Sequence, residues 1–265
     1  MTADAGFPEV ALWAAEVAAL DAVLAALAED DWRIVTQFKD WRVREHIGHL
    51  CDSDRLASAA VLDPDDFRVR KREIQRAVLS KPQAATGEGV LTGWRGGIAE
   101  LGAAFETLSP TDRRPWFGPD MSARAFVSAR LMETWAHGQT VHDALGLERA
   151  PTDRVRPICE LGWRTRGWSF SVRGLEVPTT PVFLALTAPS GAEWRWGDPE
   201  AADRIEGPAG DFALTVCQCR NIADTALRTE GEAAKAWMAI AQCFAGAAAT
   251  PPPPGFRRVQ RGIAA

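Results

Sequence analysis

The stretch "SARAFVSARLMETWAHGQTVHDALG" (Ser122 to Gly146) carries the reading that decides the fold. It opens on a serine suited to cap a helix, holds no proline, and closes on a glycine suited to stop one. On such a helix, positions i and i+4 stand about 40° apart on adjacent turns. Glu133 and His137 form such a pair, a carboxylate and an imidazole placed to chelate one divalent ion. His142, five residues beyond His137, lies about 140° round the axis and cannot complete the same site while the helix stays regular. It reads instead as a residue of the C-terminal turn, near the helix dipole. Arg130, three residues before Glu133, offers a competing reading of Glu133 as a salt-bridge partner.

The missing ligand must come from another helix. The chain has four histidines, and the other two stand in "EHIGH" (Glu45 to His49). His49 is the best candidate. His46, about 60° away on the same helix, could substitute for it or stand behind the ligands. Glu45 and His49 repeat the Glu-x-x-x-His spacing, so a two-metal site is open as well. One glutamate and two histidines, with water in the remaining positions, make the ligand set of an open catalytic site for zinc or a similar ion.

The surrounding segments read as helices. Trp13, Val17, Leu20, Leu24 and Leu27 recur at spacings of four, three, four and three. A second helix spans "WRVREHIGHLCDSDRLASAAVL" (Trp41 to Leu62) and is stopped by "DPDD"; a third spans Gly89 to Leu108 despite its glycines. With the opening stretch, these are the elements of a four-helix bundle. The charged link from Asp63 to Glu88 has room for a short extra helix.

After residue 150 the pattern changes. A helix is expected over Arg154 to Gly167. "TPVFLALTAP", "GAEWRWG" and "DRIEGPAG" then read as short strands separated by turns. "PAGDFALTVCQCR" alternates like a strand, but Pro208 and Asp211 suit a helix start, and we read it as helix. "EGEAAKAWMAIAQCFAG" reads as a further helix, and "TPPPPGFRR" begins a tail that is extended or disordered. The expected organisation is a helical domain over residues 1–150, a smaller α+β domain over 151–250, and a Pro-rich tail over 251–265.

Composition narrows the function. A net charge of −5 and a pI near 5.5 argue against a nucleic-acid surface. The basic run "RVRKREIQR" (Arg68 to Arg76) is interleaved with acidic residues and reads as a solvated face. No apolar run reaches the roughly 18–20 residues of a membrane span, and the N-terminus has neither the basic nor the apolar region of a signal peptide. Five cysteines, odd in number and dispersed, read as free thiols in a reducing cytoplasm. The one close pair, Cys217 and Cys219, lacks the usual CxxC spacing of a metal or redox site.

"DWRVREHIGHLCDSDRLASAAV" and "LMETWAHGQTVHDALG" together resemble the DinB-like metal-binding helical domain of the mycothiol-dependent maleylpyruvate isomerases. They look more like an actinobacterial branch of that family, sometimes labelled a "wyosine base formation" domain, than like the isomerases themselves. The segment "LTAPSGAEWRWGDPEAADRIEGPAGDFALTVCQCRNIADTAL" is similar to the sterol-carrier-protein-like domain that accompanies it. The resemblance covers about residues 9–245. It implies that His49, Glu133 and His137 hold a divalent metal, most simply zinc. It also implies a functional arginine at Arg220, although that side chain could instead pair with Asp224. The chain departs from the family at Asp40, which often is glycine there, and at Thr140, which often is aspartate.

The chemistry so implied is thiol activation: a divalent ion favours the thiolate of a small-molecule thiol, mycothiol in this family, for attack on a small electrophilic substrate. Isomerisation and group transfer both follow from that step. Arg220 would anchor a carboxylate of substrate or thiol. A hydrolase using metal-activated water, with Glu45, Asp52 or His46 as base, is a second reading. A non-enzymatic metal- or lipid-binding module is a third. The "wyosine" label would imply a role on transfer RNA, which the acidic charge does not support.

Overall fold

A computed structural model describes residues 7–69, 86–118 and 120–260. It divides into two compact units, one of residues 1–147 with 260–265 and one of residues 148–259.

The first unit is built on four long helices. In α1 (Pro8–Leu24), proline starts the helix, and Trp13, Val17, Leu20 and Leu24 line its buried face. Leu27 of the sequence stripe lies beyond the helix end. In α2 (Val43–Leu62), the Arg42 backbone N–H, which no preceding turn can satisfy, donates to Glu45 Oε2 at 2.6 Å. Its inner face carries Val43, Ile47, Leu50, Ala57 and Val61. In α3 (Gly87–Glu106), Thr86 Oγ1 accepts from the Gly89 N–H, and Trp94, Leu101 and Phe105 are buried. Gly87 has a steric cause: a Cβ there would stand 2.2 Å from the Trp32 ring. In α4 (Ala123–Ala144), Ser122 Oγ caps the Ala125 N–H, and Gly146 stops the helix with φ +70°.

Helix α2 packs most extensively on α3, α1 packs on α4, and α2 also meets α4. Of the four, α4 is buried round most of its circumference, with Phe126, Val127, Leu131, Trp135 and Val141 in the core. Before it lies a ribbon that sequence periodicity does not reveal, β1 (Arg113–Arg114) paired antiparallel with β2 (Met121–Ser122). Two residues per strand are too few to show an alternation. Residues 64–69 are helical, so the link after α2 does hold helical structure; most of the basic run lies outside the described residues. Within the described part Arg68 pairs with Asp65 and Asp120. Among the described residues no helix is long and apolar enough to cross a membrane.

The second unit is α+β. Helices α5 (Arg156–Arg164) and α6 (Arg166–Ser171) replace the single helix expected from Arg154 to Gly167 and continue past it. Strands β3 (Val182–Thr187), β4 (Glu193–Trp196), β5 (Asp203–Pro208) and β6 (Arg228–Glu230) form one sheet in the order β4-β3-β5-β6. β3 and β5 run parallel with Leu184 opposite Ile205, and the other pairings are antiparallel. Because β4 and β5 flank β3, the link between them crosses its end. Gly197 sits there at φ +86°, where a Cβ would meet the Val182 carbonyl at 2.5 Å.

Helix α7 (Ala209–Val216) starts at Pro208 and buries Phe212, Ala213 and Val216, so the ambiguous segment is helical. The final expected helix is shorter than its sequence suggests: α8 is Glu232–Met238 only. Beyond it, tertiary hydrogen bonds replace helical ones. The Cys243 N–H donates to the Val216 carbonyl, and the Gln242 amide donates to the Phe244 and Ala247 carbonyls. The Pro-rich segment is held in the same way, with Asn221 Nδ2 donating to the Pro252 carbonyl and the Gly255 N–H to Asp224.

Two glycines of α3 give opposite expectations. A Cβ at Gly96 meets nothing within 4 Å, so Gly96→Ala should stabilise the protein by about 0.5–1 kcal/mol through backbone entropy. Gly87→Ala should cost about 1–3 kcal/mol through overpacking against Trp32. Urea melts of both variants check the pair.

Candidate metal centre

The two helices that carry the histidine clusters are tied together in the core. Arg130 of α4 donates from Nε and Nη2 to Asp54 Oδ1 of α2, at 3.1 and 2.8 Å, and from Nη2 to Ser53 Oγ at 2.9 Å. Both charged side chains are sealed from solvent, at 3% and 0% exposure. Burial pushes the Asp54 carboxyl up against the pull of Arg130 and Trp94. The hydrogen bonds of Arg130 thus go to α2 rather than to Glu133, as the competing sequence reading had it.

One turn along each helix, three ligand-type side chains converge. Glu133 Oε2 lies 3.5 Å from His137 Nε2 and 3.9 Å from His49 Nε2. The ligand atoms of all three residues lie within 4.8 Å of one another. His49 and Glu133 are half-buried and His137 is buried. The rings of the two histidines stand 4.8 Å apart between centroids. Trp41, stacked on His137 at 6.3 Å, and Phe38, edge-on at 5.6 Å, wall the site with apolar surface.

The electrostatics suit a cation. Burial alone would raise the Glu133 carboxyl, but His137, His49 and Arg130 outweigh it and hold the group well below the usual carboxylate range. Burial lowers His137 to about 4, against the smaller opposing pull of Glu133. At neutral pH the site therefore offers a carboxylate and a neutral His137 imidazole, the forms that coordinate divalent ions. This donor set, of two imidazole nitrogens and one carboxylate, fits zinc or a metal of similar softness.

The remaining candidates have other partners. His46 is fully buried, with both ring nitrogens in contact: its Nδ1 lies 2.7 Å from His137 Nδ1, and its Nε2 lies 2.9 Å from Thr36 Oγ1. Glu45 caps α2 through the Arg42 N–H. His142 Nδ1 donates to the Gly138 carbonyl at 2.8 Å, and Thr140 Oγ1 donates to the Ala136 carbonyl, both one turn back on α4. In the second unit, Arg220 Nη1 donates to the Cys219 carbonyl at 2.8 Å, while both Asp224 oxygens accept from the Gly255 N–H. All five cysteines are buried thiols, and Cys217 Sγ lies 3.6 Å from Cys243 Sγ. Sequence reasoning passed over Thr36, Ser53 and Asp54. Asp54 left a faint signal, a carboxylate among the apolar positions of α2; Thr36 left none, because its role depends on a loop packing under α2.

A helical unit with a His₂Glu cluster between two helices, joined in one chain to an α+β unit, defines the class of protein. The mycothiol maleylpyruvate isomerase N-terminal domain family matches residues 13–142. Along 97% of its length the chain is 39% identical to the "uncharacterized protein Rv0036c" of Mycobacterium tuberculosis H37Rv, covering all of that relative. The same figures hold for the "uncharacterized protein MT0041" of strain CDC 1551. The chain belongs to this family, the mycothiol maleylpyruvate isomerase N-terminal domain proteins. Among solved structures it is similar in fold to the mycothiol-dependent maleylpyruvate isomerase, with TM-score 0.52 and 13% identity over 78% of this chain and 86% of that one. A mutant of that enzyme gives TM-score 0.52 and 14% identity over the same shares.

Two measurements test this electrostatic frame. Removing one partner of a buried ion pair strands the other, so Asp54→Ala should cost about 3–5 kcal/mol in denaturant melts. The second concerns pH. The folded value of His137, about 4, lies below its ordinary 6.5, so between them the unfolded chain binds the extra proton. Its contribution is therefore present above pH 6.5 and lost as pH falls toward 4, by up to about 3 kcal/mol in the metal-free protein. Melts across that window should show the slope in the parent chain and a shallower one in His137→Gln.

Proposed function

We propose that this protein is a metal- and thiol-dependent enzyme, an isomerase or transferase in which a divalent ion activates a small-molecule thiol. The observation that carries this reading is the convergence of His49 Nε2, Glu133 Oε2 and His137 Nε2 between α2 and α4. These three residues would hold the ion, with zinc our first choice. Bound there, the ion supplies Lewis acidity that favours the thiolate over the thiol at neutral pH. Glu133 contributes the one negative charge of the ligand set, and Trp41 and Phe38 keep bulk water from two of its sides.

The thiol has to come from outside the chain. All five cysteines are buried, and burial pushes the thiols of Cys159 and Cys51 up, away from the nucleophilic form. Family membership suggests mycothiol, and the named activity of the solved relative suggests a small electrophilic substrate with an activated double bond. Arg220 is our assignment for the anchor of a carboxylate, a role that its guanidinium suits through bidentate hydrogen bonding. We read the first unit as a DinB-like four-helix bundle and the second as sterol-carrier-protein-like, working in the reducing cytoplasm that free thiols suit. The hydrolytic reading ranks lower because its bases are engaged or remote. Glu45 caps α2, His46 is held by Thr36 and His137, and Asp52 is exposed.

Zinc titration by calorimetry, with elemental analysis of the purified protein, tests the reading. The parent chain should bind one ion, and His49→Ala, Glu133→Gln and His137→Ala should each lose at least about 100-fold in affinity, since each removes a ligand. Turnover of an electrophilic substrate should require both the ion and mycothiol. Arg220→Ala should raise KM while leaving bound zinc unchanged. Stoichiometric zinc in the His49→Ala protein, or turnover without a thiol, would sink the proposal.

A further inference from the structure

Behind the ligand triad lies a second line of contacts that leads away from it. His137 turns Nε2 toward Glu133 and Nδ1 toward His46. Both nitrogens of His46 are in contact, Nδ1 with His137 at 2.7 Å and Nε2 with Thr36 Oγ1 at 2.9 Å. Thr36 Oγ1 also accepts from the Phe38 N–H at 3.2 Å. Thr36 and His46 are buried, at 2% and 0% exposure, and Phe38 and Trp41 pack against the His46 ring. A metal-ligating histidine is usually oriented by a carboxylate or a backbone carbonyl, each of which can only accept. Here the orienting group is a second imidazole, backed by a hydroxyl, and both can donate or accept.

That property allows two complete orders of hydrogen bonds along the same contacts. In the first, the Thr36 hydroxyl donates to His46 Nε2, His46 Nδ1–H donates to His137 Nδ1, and His137 Nε2–H faces the Glu133 carboxylate. In the second, every bond is reversed: His137 Nδ1–H donates to His46 Nδ1, and His46 Nε2–H donates to Thr36 Oγ1. The lone pair of His137 Nε2 is then directed at the ligand triad. Each imidazole carries one proton in both orders, so neither ring changes charge. Passing from the first to the second, each ring moves its single proton to its other nitrogen: His137 exchanges Nε2–H for Nδ1–H, and His46 exchanges Nδ1–H for Nε2–H. Thr36 keeps its hydroxyl hydrogen and only rotates it, so the number of protons is the same in both orders.

The first order leaves the Thr36 hydroxyl with an acceptor, whereas the second turns its hydrogen away from His46. The metal-free protein therefore favours the first, and only a cation at the triad makes the second the better arrangement. We infer that Thr36 and His46 are positioning residues forming a reversible relay, which inverts its hydrogen-bond order when the triad takes up its metal. This rests on the metal reading proposed above and adds a role for two residues outside the ligand set.

Nitrogen-15 NMR of histidine-labelled protein reads the proton positions directly, in the metal-free and zinc-loaded states. Without zinc, His137 should carry its proton on Nε2 and His46 on Nδ1; with zinc, His137 should carry it on Nδ1 and His46 on Nε2. Zinc affinity gives an independent readout. Thr36→Val and His46→Leu should weaken binding by about 10- to 100-fold, the usual effect of losing a group that orients a ligand. His46→Asn should recover much of the loss, because its amide can donate or accept at the place of Nδ1. A packing role for His46 predicts the opposite ranking, with the apolar leucine the better replacement. Circular-dichroism melts identify any variant that fails to fold, and Thr36→Val leaves both rings in place. Zinc binding with His46 protonated on the same nitrogen in both states would overturn the relay alone. A parent chain that binds no zinc would overturn the metal reading and the inversion with it.

Discussion

The buried ion pair between Arg130 and Asp54 is the constraint on which the site depends. It joins α4 to α2 at one height, deep in the helical unit, where neither charge has water to fall back on. Such a pair is a poor source of net stability, because desolvation offsets most of its attraction. Its value is in register. A slip of either helix by one turn, about 5.4 Å, would strand two charges in an apolar interior. With that height set, His49 of α2 and Glu133 and His137 of α4 have to meet.

The same low-dielectric surroundings act differently on each ionisable group. Asp54 is pushed up by burial in spite of its arginine, whereas Glu133 is held down by the rings and the guanidinium around it. His137 is kept neutral by burial. One carboxylate and a neutral imidazole aimed at one point make a site whose charge a divalent cation complements. The aromatic walls of Phe38 and Trp41 come from the loop before α2, which turns through Lys39 and Asp40, both at positive φ. Asp40 thus holds a left-handed backbone, which glycine adopts freely and which aspartate tolerates better than most other residues.

Much of the fold was legible because helix ends and the spacing of apolar residues are local features of the sequence. The caps at Ser122 and Thr86 and the stop at Gly146 are local chemistry, visible without any partner. Strands β3, β4 and β5 were legible from alternation and turns. What failed was decided at a distance. The run after Met238 has helical composition but leaves the helix, because Gln242, Ser169 and Val216 offer its backbone better partners. Strand β6 owes its existence to the free edge of β5 and carries no pattern of its own. The single helix expected near residue 160 is divided at Thr165, whose hydroxyl donates back to Leu161 and Gly162.

For the candidate site, the sequence by itself determined that Glu133 and His137 share a face and that His142 does not, because helical geometry is local. It narrowed the next ligand to the "EHIGH" cluster, with His49 the best candidate and His46 left open as a substitute or a group behind the ligands. Only the tertiary structure decided which ring turns toward Glu133 and which turns behind His137. That choice depends on where α2 sits against α4 and on Thr36, a residue of a loop with no motif. Contacts between elements far apart in sequence are set by packing and by the cost of unpaired buried charge, and neither quantity is written in any single stretch of the chain.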